Sequence, residues 1–151
     1  MRTHVRLIFD DIFDEIVFSR RGALRLQTYW VPESVVHTEG IGPEVELGVD
    51  AGKLLVLTLG INRTLEKQGL VLSVWGSPDG RDWGLKPLLS FPQKYYCGIY
   101  SLLLNLAKHP NMRYVRAEWK INRWGKGSAR PMFAFYVYAE ESGARIGSAV
   151  A

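Results

Sequence analysis

The chain has 151 residues and is 47% hydrophobic, which is the size and apolar content of one domain around one core, so two independent domains are not expected. Its 19 basic and 15 acidic side chains leave a formal net charge of +4, a mildly basic balance short of the clustered charge that marks a dedicated nucleic-acid binder. A single cysteine, Cys97, excludes an internal disulfide and a multi-cysteine zinc site, as a reducing compartment would permit.

In chain order, the opening MRTHVRLIFDDIFDEIVF starts basic and apolar, but Asp10, Asp11, Asp14 and Glu15 break the continuous run that a signal peptide needs. No apolar run is long enough to cross a bilayer. The expectation is a soluble, unprocessed chain, cytoplasmic or assembled into a particle, for which the glycosylation pattern Asn62-Arg63-Thr64 is a chance match. At about 100° per residue, Ile8, Phe9, Ile12, Phe13, Ile16 and Val17 gather on one face and the four carboxylates on the other. Ser19-Arg20-Arg21 before Gly22 suits a helix end, with cations at the negative pole of the dipole. Residues 1–22 are therefore predicted to form a short amphipathic helix. It would either cap the domain's own core or dock on another subunit through Ile8, Phe9, Ile12 and Phe13.

Beyond Gly22 the period changes to that of strands. Residues 24–31, 54–60, 70–75, 99–104, 114–121 and 132–138 are short runs rich in β-branched and aromatic residues. Between them stand Pro32, Gly40-Ile41-Gly42-Pro43, Gly52, Gly69, Pro110 and the glycines at 125 and 127, the punctuation of a β-sandwich. The prediction is an all-β body over 23–141, with no internal repeat, followed by a flexible small-residue tail over 142–151.

Within that body, Gly76-Ser77-Pro78-Asp79-Gly80-Arg81-Asp82-Trp83-Gly84 follows an apolar strand. Pro78 presets the first central position of a β-turn and Gly80 relieves its exit. Asp79 and Asp82 are good turn residues without a metal, and two carboxylates fall short of the six to eight oxygens that calcium needs. Arg113 to Arg130 is the most functional-looking segment. At period two, Val115, Ala117, Trp119 and Ile121 face one way and Arg116, Glu118 and Lys120 the other. Arg123, Trp124, Lys126 and Arg130 then fall in or beside a glycine-containing loop. Such a face and loop suit phosphate contacts with base stacking, a sugar ring on Trp124, or an acidic neighbour, against the plain alternative of a solvated strand face. A second aromatic group, Tyr95-Tyr96 ahead of Cys97, offers either core packing or a surface contact, with Cys97 expected to be a small semi-buried residue.

Ser77, Asp79, Gly80 and Trp83 in the order S-x-D-G-x-x-W, followed by the strand Arg113-Tyr114-Val115-Arg116, resemble the discoidin or galactose-binding-like β-sandwich domains, with Val45 to Asp50 standing for an early strand of that family. The resemblance runs from about Val45 to Tyr138. It implies an antiparallel jelly-roll sandwich, usually a non-catalytic recognition module that binds sugars or membrane lipids at loops on one end. The chain departs from the family in lacking the cysteines for an end-closing disulfide and an evident secretion signal, and no binding residue transfers from it.

Catalysis is not expected. His4, His37 and His109 are scattered, and the chain has no G-x-S-x-G elbow and no H-x-x-x-H pair. The reading is of a cofactor-free and metal-free module that recognises carbohydrate or a partner protein through loops at one sandwich end. Its candidate contacts are Asp79, Arg81, Asp82, Trp83, Arg116, Lys120, Arg123, Trp124, Lys126 and Arg130. The alternative is a structural subunit, homo-oligomeric or part of a virus-like or phage-like assembly, and a weak nucleic-acid binder stands third.

Overall fold

In the computed structural model, residues 15–18, 24–125 and 130–142 are described. Their strands pair antiparallel throughout, in two sheets. The first sheet sets β1 (Glu15–Phe18), β2 (Leu24–Val36), β10 (Phe133–Glu141), β5 (Leu54–Thr64) and β8 (Gly98–Asn105) side by side in that order. The second centres on β9 (Tyr114–Arg123) and β6 (Gln68–Ser77). The two-residue β7 (Leu89–Ser90) lies beside β6, and two short pieces, β3 (Gly40–Ile41) and β4 (Val45–Glu46), lie beside β9.

Period-two burial makes these sheets a sandwich. Along β9, Val115, Ala117 and Trp119 are buried while Arg116 and Glu118 are half-exposed and Lys120 is exposed, the alternation expected from the sequence. Leu70, Leu72 and Val74 of β6 join them and face Leu55, Leu57 and Leu59 of β5 and Phe133, Phe135 and Val137 of β10 in one core. The contact between sheets is direct: the Trp119 and Phe135 ring centroids stand 5.3 Å apart, edge to face. Each such fully buried aliphatic or aromatic side chain contributes roughly 1.5–3 kcal/mol.

Two expectations are corrected. The helix over 1–22 does not form where the chain is described: Glu15–Phe18 pair with β2, Glu15 opposite Gln27 and Phe18 opposite Leu24. Ile-Val-Phe is β-branched and aromatic, and the β2 edge supplies the backbone partners that decide such a short segment over its helical period. Ile8, Phe9, Ile12 and Phe13 lie outside the described residues. Pro32, read as a connection, sits inside β2 instead, where the pairing with β10 shifts register between Ser34–Phe135 and Val31–Val137. A bulge is where a strand tolerates a residue with no N–H.

The connections sort to the two ends of the sandwich. Because β5 and β6 lie in different sheets, residues 65–67 arch over one end, as do 91–97 between β7 and β8, and the β9–β10 connection leaves β9 at Trp124 and enters β10 at Met132 on that same end. Gln68, 2% exposed, ties two of these arches together. Its Nε2 donates to the Met132 carbonyl (2.5 Å) and to Thr64 Oγ1 (3.0 Å), and its Oε1 accepts from the Met132 amide (3.2 Å). A buried amide with its donors and acceptor satisfied is a rigid joint. The loop over 78–88 closes the opposite end.

Candidate functional site

Turn chemistry accounts fully for the Ser77 end. Ser77 is buried, and its Oγ accepts the amides of Asp79 (3.2 Å) and Gly80 (2.7 Å) while donating to Asp79 Oδ1 (3.1 Å). Asp79 Oδ1 also accepts the amides of Arg81 (2.8 Å) and Asp82 (2.9 Å), and Asp82 Oδ1 accepts that of Gly84 (3.0 Å). Gly80 takes φ +83°, where a side chain would be strained. The Asp82 and Arg81 amides, in that order, hold the Asp79 carboxyl below its ordinary range, with smaller help from Ser77 and its own amide and a small opposing push from desolvation. Both carboxylates thus serve their own loop. Trp83 leaves the tip altogether and lies on the outer face of the second sheet, with the Arg116 guanidinium 4.1 Å from its ring centroid. Trp75, Gly84 and Glu118 complete a shallow depression of about 200 Å³ there.

The other end is open. Tyr95, Tyr96 and Trp124 are 41%, 75% and 48% exposed, large fractions for such rings. They converge: Tyr95 meets Trp124 edge to face at 5.7 Å and Tyr96 at 6.4 Å. What holds them is polar and backbone bonding from three separate arches. The Asn122 side chain donates to Gln93 Oε1 (2.7 Å), and Gln93 Nε2 donates to the Tyr95 hydroxyl (2.9 Å). Gly69 makes room for this chain, since a Cβ there would stand 2.5 Å from Gln93 Oε1. The Trp124 amide donates to the carbonyl of Lys67 (3.0 Å), a residue in the left-handed region at φ 63°. The Tyr100 hydroxyl donates to the Tyr96 carbonyl (2.8 Å) beneath Lys94, whose Nζ sits 4.3 Å from the Tyr100 centroid.

Grooves flank the three rings. One, of about 410 Å³, runs along the arch at Thr64, Glu66, Lys67 and Gln68; the other, of about 600 Å³, runs along Gln93 and Asn122. Their walls combine the aromatic rings with the amides of Gln68, Gln93 and Asn122 and the charged side chains of Glu66 and Lys67.

The ten candidate contacts do not form one group. Gln68 pairs with Arg123 and Ser77 with Tyr114, so the Trp124 and Ser77 loops lie at opposite ends of β6, roughly 30 Å apart at strand rise. Asp79, Arg81 and Asp82 belong to the closed end; Trp83, Arg116 and Lys120 belong to the second sheet and its outer face; Arg123 and Trp124 belong to the open end. Arg130 is exposed two residues before Met132, and Lys126 lies outside the described residues. Gln93 and Lys67 escaped the sequence reading, because nothing local signals which arches meet. Cys97 is exposed rather than semi-buried, carried out by the turn after Tyr96.

Among the described residues no three His, Cys, Asp or Glu side chains converge as metal ligands, and no helix is long and apolar enough to cross a membrane. The fold is that of an all-β sandwich. No protein-family model matches the chain, and no curated protein matches it in sequence. Among solved structures it is similar to the K3 cleaved adhesin domain of Lys-gingipain from Porphyromonas gingivalis, at 13% identity over 82% of this chain and 77% of that one, with a TM-score of 0.42.

Proposed function

We propose that this chain is a non-catalytic recognition module, a jelly-roll of galactose-binding-like type, that takes carbohydrate at the Tyr95, Tyr96 and Trp124 end. The observation that carries this reading is the convergence of three exposed rings on a fixed amide chain, Asn122 to Gln93 to Tyr95. A sugar ring has an apolar C–H face and a rim of hydroxyls. Aromatic walls offer the first a surface and amide groups offer the second directional bonds, and because the rings are already braced little ordering is lost on binding.

The test is a panel of neutral and acidic oligosaccharides titrated against the whole chain by calorimetry, with Trp124→Ala as the comparison. At least one sugar is expected to bind, and Trp124→Ala is expected to weaken it about tenfold or more, some 1.4 kcal/mol. A panel without binding, or binding untouched by Trp124→Ala, removes the proposal. Binding to single-stranded nucleic acid that collapses with added salt would replace it by phosphate contact and base stacking.

A further inference from the structure

The first sheet ends in an edge unlike the others. Among the described residues β8 pairs with β5 alone, leaving the backbone groups of its far side for another strand. The edges of the second sheet are broken up: β7 is two residues long, and β3 and β4 are two residues each with Gly42-Pro43 between them. Short edges, proline and charge are how sheets avoid pairing with other chains. By contrast β8 is eight residues, Gly-Ile-Tyr-Ser-Leu-Leu-Leu-Asn, without a charge or a proline. Its outward side chains include Ile99 and Leu103, 73% and 54% exposed. The tyrosine cluster of Tyr29, Tyr136 and Tyr138 extends across β10 and β2, with ring centroids 5.5 to 6.0 Å apart.

We propose that β8 pairs antiparallel with β8 of a second copy of this chain, joining two five-stranded sheets into one across a twofold axis at Ser101. The strand is complementary to itself. With Ser101 opposite Ser101, Ile99 falls opposite Leu103 on the outer face and Tyr100 opposite Leu102 on the inner one, so apolar residues meet apolar residues twice over. Because the strand is neutral, no like charges face each other in that register. A strand of another protein would meet the same backbone but not this matched sequence. Eight residues make an edge of about 26 Å, and a seam one strand wide buries less area than the interface of an obligate dimer, so the pair is expected to form and dissociate in the micromolar range.

The measurement is the solution mass of the whole chain by light scattering from about 1 to 200 µM, a span that brackets a micromolar equilibrium. The expected result is a rise from 17.1 kDa toward twice that mass. Ser101→Lys puts two cations face to face on the axis and is expected to hold the protein monomeric. Ser101→Asp does the same with two anions. Mixing the two variants is expected to restore the dimer as a heterodimer, which a misfolded variant cannot do. Ile41→Lys, at an exposed apolar position on the other sheet, is expected to leave association unchanged. A monomer at every concentration, a dimer that survives Ser101→Lys, or a mixture that fails to reassociate overturns the proposal.

Discussion

At the Ser77 end, a serine hydroxyl and two carboxylates accept five amides of their own loop. At the Trp124 end, amide side chains brace tyrosine and leave three rings facing outward. The same kinds of residue, turn formers beside a tryptophan, stand at both. The difference is where the polar groups point. A loop whose acceptors are occupied by its own backbone has little left for a ligand, and Trp83 has moved onto Arg116. A platform whose polar groups are spent on holding rings in place leaves its aromatic surface available. The presence of carboxylates and a tryptophan in a loop is therefore a poor guide to binding, and their hydrogen-bond partners are a good one.

The largest expected effect that separates the ends comes from Ser77→Ala. The hydroxyl is fully buried and accepts two amides while donating to Asp79, so its loss leaves loop groups without a partner and is expected to cost roughly 1–3 kcal/mol. For a domain of this size each kcal/mol lowers Tm by about 2–4 °C, readable by calorimetry. Sugar affinity at the far end is expected to be unchanged. A variant that melts like the parent, or one that loses ligand, would remove the distinction between a structural end and a binding end.

How much of this was legible follows from what each feature depends on. The alternation in β9 was readable because Val115, Ala117 and Trp119 against Arg116 and Glu118 is a local pattern, and burial bears it out. Turn chemistry at Pro78, Asp79 and Gly80 was readable for the same reason. The open end was legible only in pieces. Trp124 and the Tyr95-Tyr96 pair were noted separately, but they meet because three arches cross between sheets at one end, and Gln68 joins two of those arches to each other from within the core. That is long-range pairing, which no window of the sequence contains. Glu15–Phe18 failed for a related reason: a helical period was present, and a strand edge outbid it.

A smaller effect concerns Trp83. The guanidinium of Arg116 lies over its ring on a half-exposed sheet face, where such a contact is worth about 0.5–1 kcal/mol. Arg116→Ala is expected to lower Tm by less than about 4 °C and to shift the tryptophan emission as Trp83 becomes wetter. Arg116→Lys is expected to restore only part of this, since an ammonium lacks the planar stack. If Arg116→Ala instead abolished ligand binding with stability intact, the second sheet's outer face would be the site and the open end would not.

The smallest effect is one of pH, and it is confined to the closed end. Asp79 is held below its ordinary carboxylate value chiefly by the amides of Asp82 and Arg81. A folded-state pKa lower than the unfolded one means that the unfolded chain takes up protons first, so stability rises with pH through that window. The contribution is complete above the ordinary aspartate value of about 4 and is lost as pH falls through the lower folded value. Nuclear magnetic resonance of the Arg81 and Asp82 amides is expected to show them titrating below about pH 4, with Asp79→Asn removing the transition. The Asn122 side-chain amide, at the far end and bonded to a neutral partner, is expected to stay still over the same range. Movement of both together would mean that the two ends unfold as one unit and that the loop's hydrogen bonds are not an independent local structure.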